Sequence, residues 1–114
     1  MIDFHKLIVY QKAHDFNKQI HIEVLCSKEI DRLIKDQLRR ASMSIQLNIA
    51  EGCSRISPAD RRNFFVIARG SAFECVAIFD ILHSIGAIGL LQKDKLADCA
   101  EEISKMLFAL IRKK

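Results

Sequence analysis

The chain has 114 residues, a formal net charge of +4, a pI near 9.0, and an apolar half. That length supports one domain, 1–114, with a core that needs neither a metal nor a disulfide staple. One Pro and four Gly exclude a fibrous or low-complexity chain, and no apolar run nears the ~20 residues that span a bilayer.

Four helices are predicted, and no strand. The first runs from about Lys6 to Leu25, with Val9, Ala13, Phe16, Ile20 and Val24 on one face. The second begins between Glu29 and Arg32, with Ser27 as a candidate cap, and reaches about Gly52. Its core stripe is Ile34, Leu38, Ala41, Ile45, Ile49 and Gly52. The third has the clearest start in the chain. In Ser57-Pro58-Ala59-Asp60 a capping hydroxyl precedes a Pro at the first helical position. It runs to about Ile85 and stops at Gly86, with Phe64, Ala68, Ser71, Cys75, Phe79 and Leu82 filling one face and Phe65, Ala72, Val76 and His83 widening it. The fourth spans about Lys93 to Arg112, with Leu96, Ala100, Ile103, Leu107 and Leu110 inward. Arg112-Lys113-Lys114 then complements the negative end of its dipole. Four helices of similar length with short connections predict an all-α, up-down-up-down four-helix bundle. Cys26, Cys53, Cys75 and Cys99 fall about one per helix and form no C-x-x-C pair. Free buried thiols in a reducing cytoplasm are expected, and no signal peptide precedes them.

Charge is concentrated in the middle of the chain. Residues 32–69 hold eight basic residues, seven of them Arg, against three acidic ones, while the rest of the chain is close to neutral. Arginine's planar fork suits phosphate. Lys35, Arg39, Arg40, Arg55, Arg61, Arg62 and Arg69 are therefore expected to form one positive surface for RNA or DNA, with Arg61 and Arg62 in an exposed first turn. Aromatic stacking is expected to be minor, because Phe64 and Phe65 fall on the core side.

A polar seam runs along the second helix at helical spacing: Gln37, Arg40, Ser44, Asn48, Glu51 and Arg55. Asn48 and Glu51 are expected to meet Ser71 and Glu74 of the third helix, with Arg40 or Arg55 neutralising the acids and Gly70 and Ser71 permitting close approach. Such a seam either binds a ligand or fixes helix register. Met43, Leu47, Val66, Phe73 and Ala77 point away from the core stripes. A helix apolar nearly all round is buried nearly all round, so a homo-oligomer using these residues is expected.

Four segments carry a resemblance: Phe4-x-x-Leu7-x-Val9-Tyr10-Gln11-Lys12-Ala13, Gln37-Leu38-Arg39-Arg40-Ala41-Ser42-x-Ser44-Ile45, Asn48-Ile49-Ala50-Glu51-Gly52-x-x-Arg55, and Phe64-x-x-x-Ala68-x-Gly70-Ser71-x-x-Glu74. The chain resembles the bundle proteins encoded in 23S rRNA intervening sequences, sometimes labelled S23 ribosomal proteins, and the related accessory protein of diversity-generating retroelements. It departs from the family pattern at Tyr10, where Trp is usual, and at Ser27 and Arg32-Leu33-Ile34, which replace Pro followed by Tyr-Gly-Leu. The resemblance implies a helical bundle, often a ring-like homopentamer, that binds nucleic acid without known catalysis.

Catalytic readings find little support. Asp80-Ile-Leu-His83 supplies one acid-x-x-His motif where a carboxylate-bridged metal site needs two. The other histidines, His5, His14 and His21, sit on the first helix, and no distinctive Cys–His pairing or Gly-rich phosphate loop is present. No enzyme, metal or cofactor is expected. Two functions remain: nucleic-acid binding by an oligomer, or a protein-interaction module whose basic surface docks an acidic or nucleic-acid-bound partner such as a reverse transcriptase.

Overall fold

A computed structural model describes residues 2–113, and the expectation for Lys114 falls outside them. A short 3-10 turn, Phe4–Lys6, leads into α1 (Ile8–Ile20), which continues as a π-turn over His21–Leu25. Then come α2 (Arg32–Ser54), α3 (Pro58–Ser84) and α4 (Leu90–Arg112). Each helix packs against its neighbours in chain order, and α4 closes back on α1, so this is an up-down-up-down four-helix bundle with principal extents of 44 × 20 × 20 Å.

Local chemistry sets the boundaries. Asp31, not Ser27, caps α2: its Oδ1 accepts from Leu33 N at 2.7 Å and Ile34 N at 3.4 Å. Ser27 instead turns the connection, its Oγ accepting from Glu29 N and its carbonyl from Lys35 Nζ at 2.7 Å. Ser57 caps α3 through Asp60 N, with Pro58 at the first helical position. At the far end Gly86 has φ +76°. Ala87 N donates to Leu82 O and Gly86 N to His83 O, the paired bonds of a Schellman motif. The fourth helix starts three residues earlier than expected, at Leu90, with Gly89 as an N-cap that offers no side chain.

Val9, Ala13, Phe16, Ile20 and Val24 are all buried, as are Leu38, Ala41, Ile45, Ile49 and Gly52 from α2 and Leu96, Ala100, Ile103 and Leu107 from α4. Fully burying each large aliphatic or aromatic side chain contributes about 1.5–3 kcal/mol. Phe16 meets Phe79 edge-on across the centre, with centroids 6.2 Å apart. The buried stripe of α3 is rotated from the expected one. Phe65, Ala68, Ala72, Cys75, Ile78, Phe79 and Leu82 are buried, while Phe64 sits at the α2 edge beneath Arg55. The cause is that α3 is wedged between α2 and α4, so its apolar face points between both neighbours. Lys12 Nζ binds Glu102 Oε1 at 2.8 Å and ties α1 to α4; that hydrogen bond raises the lysine's pKa.

Candidate nucleic-acid interface

The α2–α3 hairpin has a clear register. Ser71 Oγ lies 2.8 Å from Ser44 Oγ, and Gly52 lies against Arg61 and Phe65. The second contact is the close approach. A Cβ on Gly52 would stand 2.8 Å from Phe65 Cε1 and 3.2 Å from Arg61 O, whereas a Cβ on Gly70 would meet nothing within 4 Å. The close approach expected at Gly70 is therefore at Gly52. Gly70 is exposed and faces away from α2.

Part of the polar seam assembles. Asn48 Nδ2 donates to Ser44 O at 2.8 Å and Ser44 Oγ at 3.0 Å, and Ser71 joins them across the helix pair. Glu51 and Glu74 do not join. In an antiparallel pair with Ser44 opposite Ser71, Glu51 lies level with Phe64 and Glu74 level with Ala41. Glu51 instead pairs with Arg55 one turn on, at 3.0 Å. Gln37 and Glu74 are exposed. The assembled part is short and within one helix pair, which fits the fixing of register.

A second network has no counterpart among the expected contacts. Asn17 Nδ2 reaches Ser42 O and Gln46 Oε1, each at 3.0 Å, and Gln46 Nε2 lies 3.0 Å from both Tyr10 Oη and His14 Nδ1. It links α1 to α2 on the opposite flank from the seam. The signal in the sequence is an amide inside each apolar stripe: Asn17 beside Phe16, and Gln46 beside Ile45.

The seven central cations do not share one surface. Lys35 and Arg39 lie on the α1 flank of α2, where Lys35 holds Ser27 O and Arg39 pairs with Asp36 at 2.7 Å. Arg40 and Arg55 lie on the α3 flank, and Arg55 also stacks on Phe64 at 4.6 Å. Arg62 and Arg69 face α4, with Arg62 near Leu110 and Lys113, and Arg69 over Phe108 at 5.0 Å. Arg61 is not a free surface cation. It is half-buried, its Nη2 donates to Arg55 O at 3.1 Å and Ile56 O at 3.4 Å, and its Nε is sealed without a partner. The reason is the tight α2–α3 turn: carbonyls left open by the end of α2 lie within reach of the first turn of α3.

A different concentration of charge emerges at one end of the bundle. Ile2 N donates to Cys53 O, and Ile2, Leu7, Arg61, Arg62, Phe65 and Lys113 line one shallow depression there. The chain start, the α2–α3 turn and the end of α4 thus meet. Lys6, Arg55, Arg61, Arg62, Arg112 and Lys113 gather here against Asp3, Glu51 and Asp60. At the opposite end Lys28, Arg32, Lys35, Lys93 and Lys95 are offset by Glu23, Glu29, Asp31, Asp36, Asp80 and Asp94, including a Lys93–Asp80 pair at 3.2 Å.

Met43, Leu47, Val66, Phe73 and Ala77 are exposed on the single chain, on two different flanks. Met43 and Leu47 line a groove between α1 and α2 with Ile22 and His21. Val66, Phe73 and Ala77 lie on α3, where the ring of Phe73 stacks with Arg69 on the side toward α4. The thiols are unpaired. Burial, and then Glu74, pushes the Cys75 thiol from 9.0 up to about 12, and burial also raises Cys53 and Cys99. The π-turn brings His21 Nε2 within 3.5 Å of exposed Cys26 Sγ, a Cys–His approach that the sequence spacing hides. Among the described residues no three His, Cys, Asp or Glu side chains cluster as metal ligands, and no helix is long and apolar enough to cross a membrane.

The molecule is an all-helical bundle with a structured hairpin and an uncompensated basic end. It belongs to the 23S rRNA-intervening sequence protein family, whose model matches residues 5–109. A crystal structure from Bacteroides thetaiotaomicron, of a protein with unknown function from the S23 ribosomal protein family, is similar at TM-score 0.85 and 25% identity, covering 93% of this chain and 100% of that chain. A search of curated proteins finds no match.

Proposed function

We propose that this protein binds RNA or DNA, without catalysing a reaction on it, through the basic end of the bundle. The observation that carries the reading is the charge imbalance along the long axis, six cations to three carboxylates at one end and near balance at the other. Lys6, Arg62, Arg112 and Lys113 make no ion pair among the described residues, so they are free for phosphate oxygens. Binding of this kind is salt-dependent and weakly sequence-specific. The absence of catalysis is part of the proposal: among the described residues no carboxylate forms an ion pair with His21 to orient its imidazole toward Cys26.

The two apolar flanks support assembly with copies of the same chain. The α1–α2 groove of one copy, with Met43 and Leu47, and the Val66 and Ala77 positions on α3 of the next are different patches, so they join head to tail and generate a ring if the rotation closes, with the Phe73 ring turned aside toward α4. Five copies is the number the family resemblance favours. A ring would present several basic ends together and add weak sites through multivalency. A monomer by sedimentation at micromolar concentration would sink this assembly. The unpaired thiols support residence in a reducing compartment, the cytoplasm.

The test is fluorescence anisotropy with a labelled structured RNA and a duplex DNA across a salt series. Replacing Lys6, Arg62 and Lys113 by Gln should lower the slope of log affinity against log salt by about 1 for each phosphate no longer neutralised. Arg61 is avoided because its loss opens the α2–α3 turn. If the parent binds neither probe at any salt concentration, an acidic protein partner becomes the better occupant. Docking of a reverse transcriptase, as in the retroelement accessory protein, is the form that resemblance suggests.

A further inference from the structure

Two of the exposed phenylalanines are not isolated. Phe73 on α3 is 51% exposed and Phe108 on α4 is 43% exposed. The Arg69 guanidinium lies between them, 4.8 Å from the Phe73 centroid and 5.0 Å from that of Phe108, and Arg112 lies 5.4 Å from Phe108. The four side chains form a ladder, Phe73–Arg69–Phe108–Arg112, that climbs the α3–α4 edge from the basic end. Arg69 Nε is sealed from water with no partner, and neither arginine has a carboxylate among the described residues. Cation–π contact places both guanidinium groups against the rings, and neither group's terminal nitrogens have a hydrogen-bond acceptor among the described residues.

We propose that this ladder is a stacking platform for single-stranded nucleic acid, continuous with the basic end. The inference rests on the nucleic-acid reading above and adds to it the form of the ligand. Aromatic faces and arginine planes accept unstacked bases irrespective of sequence, while the arginines' free N–H groups take the adjoining phosphates. A duplex keeps its bases stacked internally and offers the ladder only phosphates. Assembly through Val66 and Ala77 leaves the ladder free, because Arg69 holds the Phe73 ring on the side toward α4 and Phe108 lies on α4 itself.

The experiment compares three probes by anisotropy: a single-stranded DNA of roughly 20 nucleotides, longer than common single-strand site sizes, the same strand with alternate abasic positions, and the matching duplex. The proteins are the parent and a Phe73→Leu/Phe108→Leu variant, which keeps apolar bulk and removes the rings. The variant should bind the intact strand about tenfold more weakly with an unchanged salt slope, and its duplex affinity should match the parent's. The parent itself should bind the abasic strand more weakly by a similar factor, a measurement that does not depend on how the variant folds. If the parent binds intact and abasic strands equally, the ladder is not a stacking platform, although phosphate binding by the basic end stands. If the parent binds no probe, both readings fall. A change of particle size by sedimentation in the variant would show the rings between copies, and overturns the proposal.

Discussion

The two ends of the bundle solve the same problem in opposite ways. At the end holding the α3–α4 turn, a Schellman motif closes the backbone, Asp31 caps the neighbouring helix, and the surface charges are offset. At the other end the α2–α3 turn is held by side chain and shape. Arg61 covers the carbonyls of Arg55 and Ile56, Gly52 lets α3 press against α2, and positive charge is left without partners. The contrast separates two tasks that one residue type performs. An arginine bound to turn carbonyls belongs to the fold, and one without an acceptor is available to a ligand. Proximity in sequence does not tell them apart, since Arg61 and Arg62 fall on opposite sides of that division.

The comparison breaks most sharply at Gly52. Gly52→Val should cost about 3 kcal/mol by overpacking, read from denaturant unfolding, because Phe65 is held in the core and the Arg61 carbonyl is backbone. Next in size is the charge contrast. Neutralising Lys6, Arg62 and Lys113 together should weaken nucleic-acid binding about a hundredfold at low salt, while Lys28, Arg32 and Lys95 changed to Gln at the other end should leave the salt slope unchanged. Equal losses from the two triple variants would erase the distinction between the ends.

Alkaline pH probes the interior between the ends. A thiol raised from 9.0 to about 12 stays protonated in the folded chain while the unfolded chain ionises. Its stabilising contribution is therefore full below pH 9 and is lost as pH rises toward 12. At pH 10 the loss from Cys75 is on the order of 1 kcal/mol, and a Cys75→Ala variant should show a flatter stability–pH curve. In thiol labelling of the native protein, exposed Cys26 should react first, with Cys53 and Cys75 reacting only on opening. The smallest effect belongs to the neutral end. Gly86→Ala meets no atoms but must hold φ +76°, a strain of about 1 kcal/mol that a thermal melt resolves.

Most of the fold is legible in the sequence because it rests on periodicity and on short local signals. Val9 to Val24 on α1 are buried as spaced, and Ser57-Pro58 and Gly86 bound α3 as expected. The start of α4 escapes such signals because Gly89 caps without a side chain and Leu90 and Leu91 are exposed apolars. The site is less legible. Seven cations within a short stretch suggest one surface, yet neighbouring helical positions such as Arg39 and Arg40 turn onto different flanks. Arg61's acceptors are main-chain carbonyls, which every residue has and which no side-chain pattern announces. The basic end itself is built from the chain start, the middle hairpin and the last turn of α4, three segments joined only by folding.

The π-turn at His21–Leu25 gives α1 one more residue than a regular helix of the same span would hold. That residue is a reserve of length. Deleting exposed Ile22 would let the segment relax to ordinary α-helical winding with Val24 still inward, whereas a deletion earlier in α1 would swing the whole following stripe by about 100°. The first helix can therefore shorten by one position in this stretch without losing its hold on the core, and His21 and Cys26 would then stand four positions apart, still on one helix face.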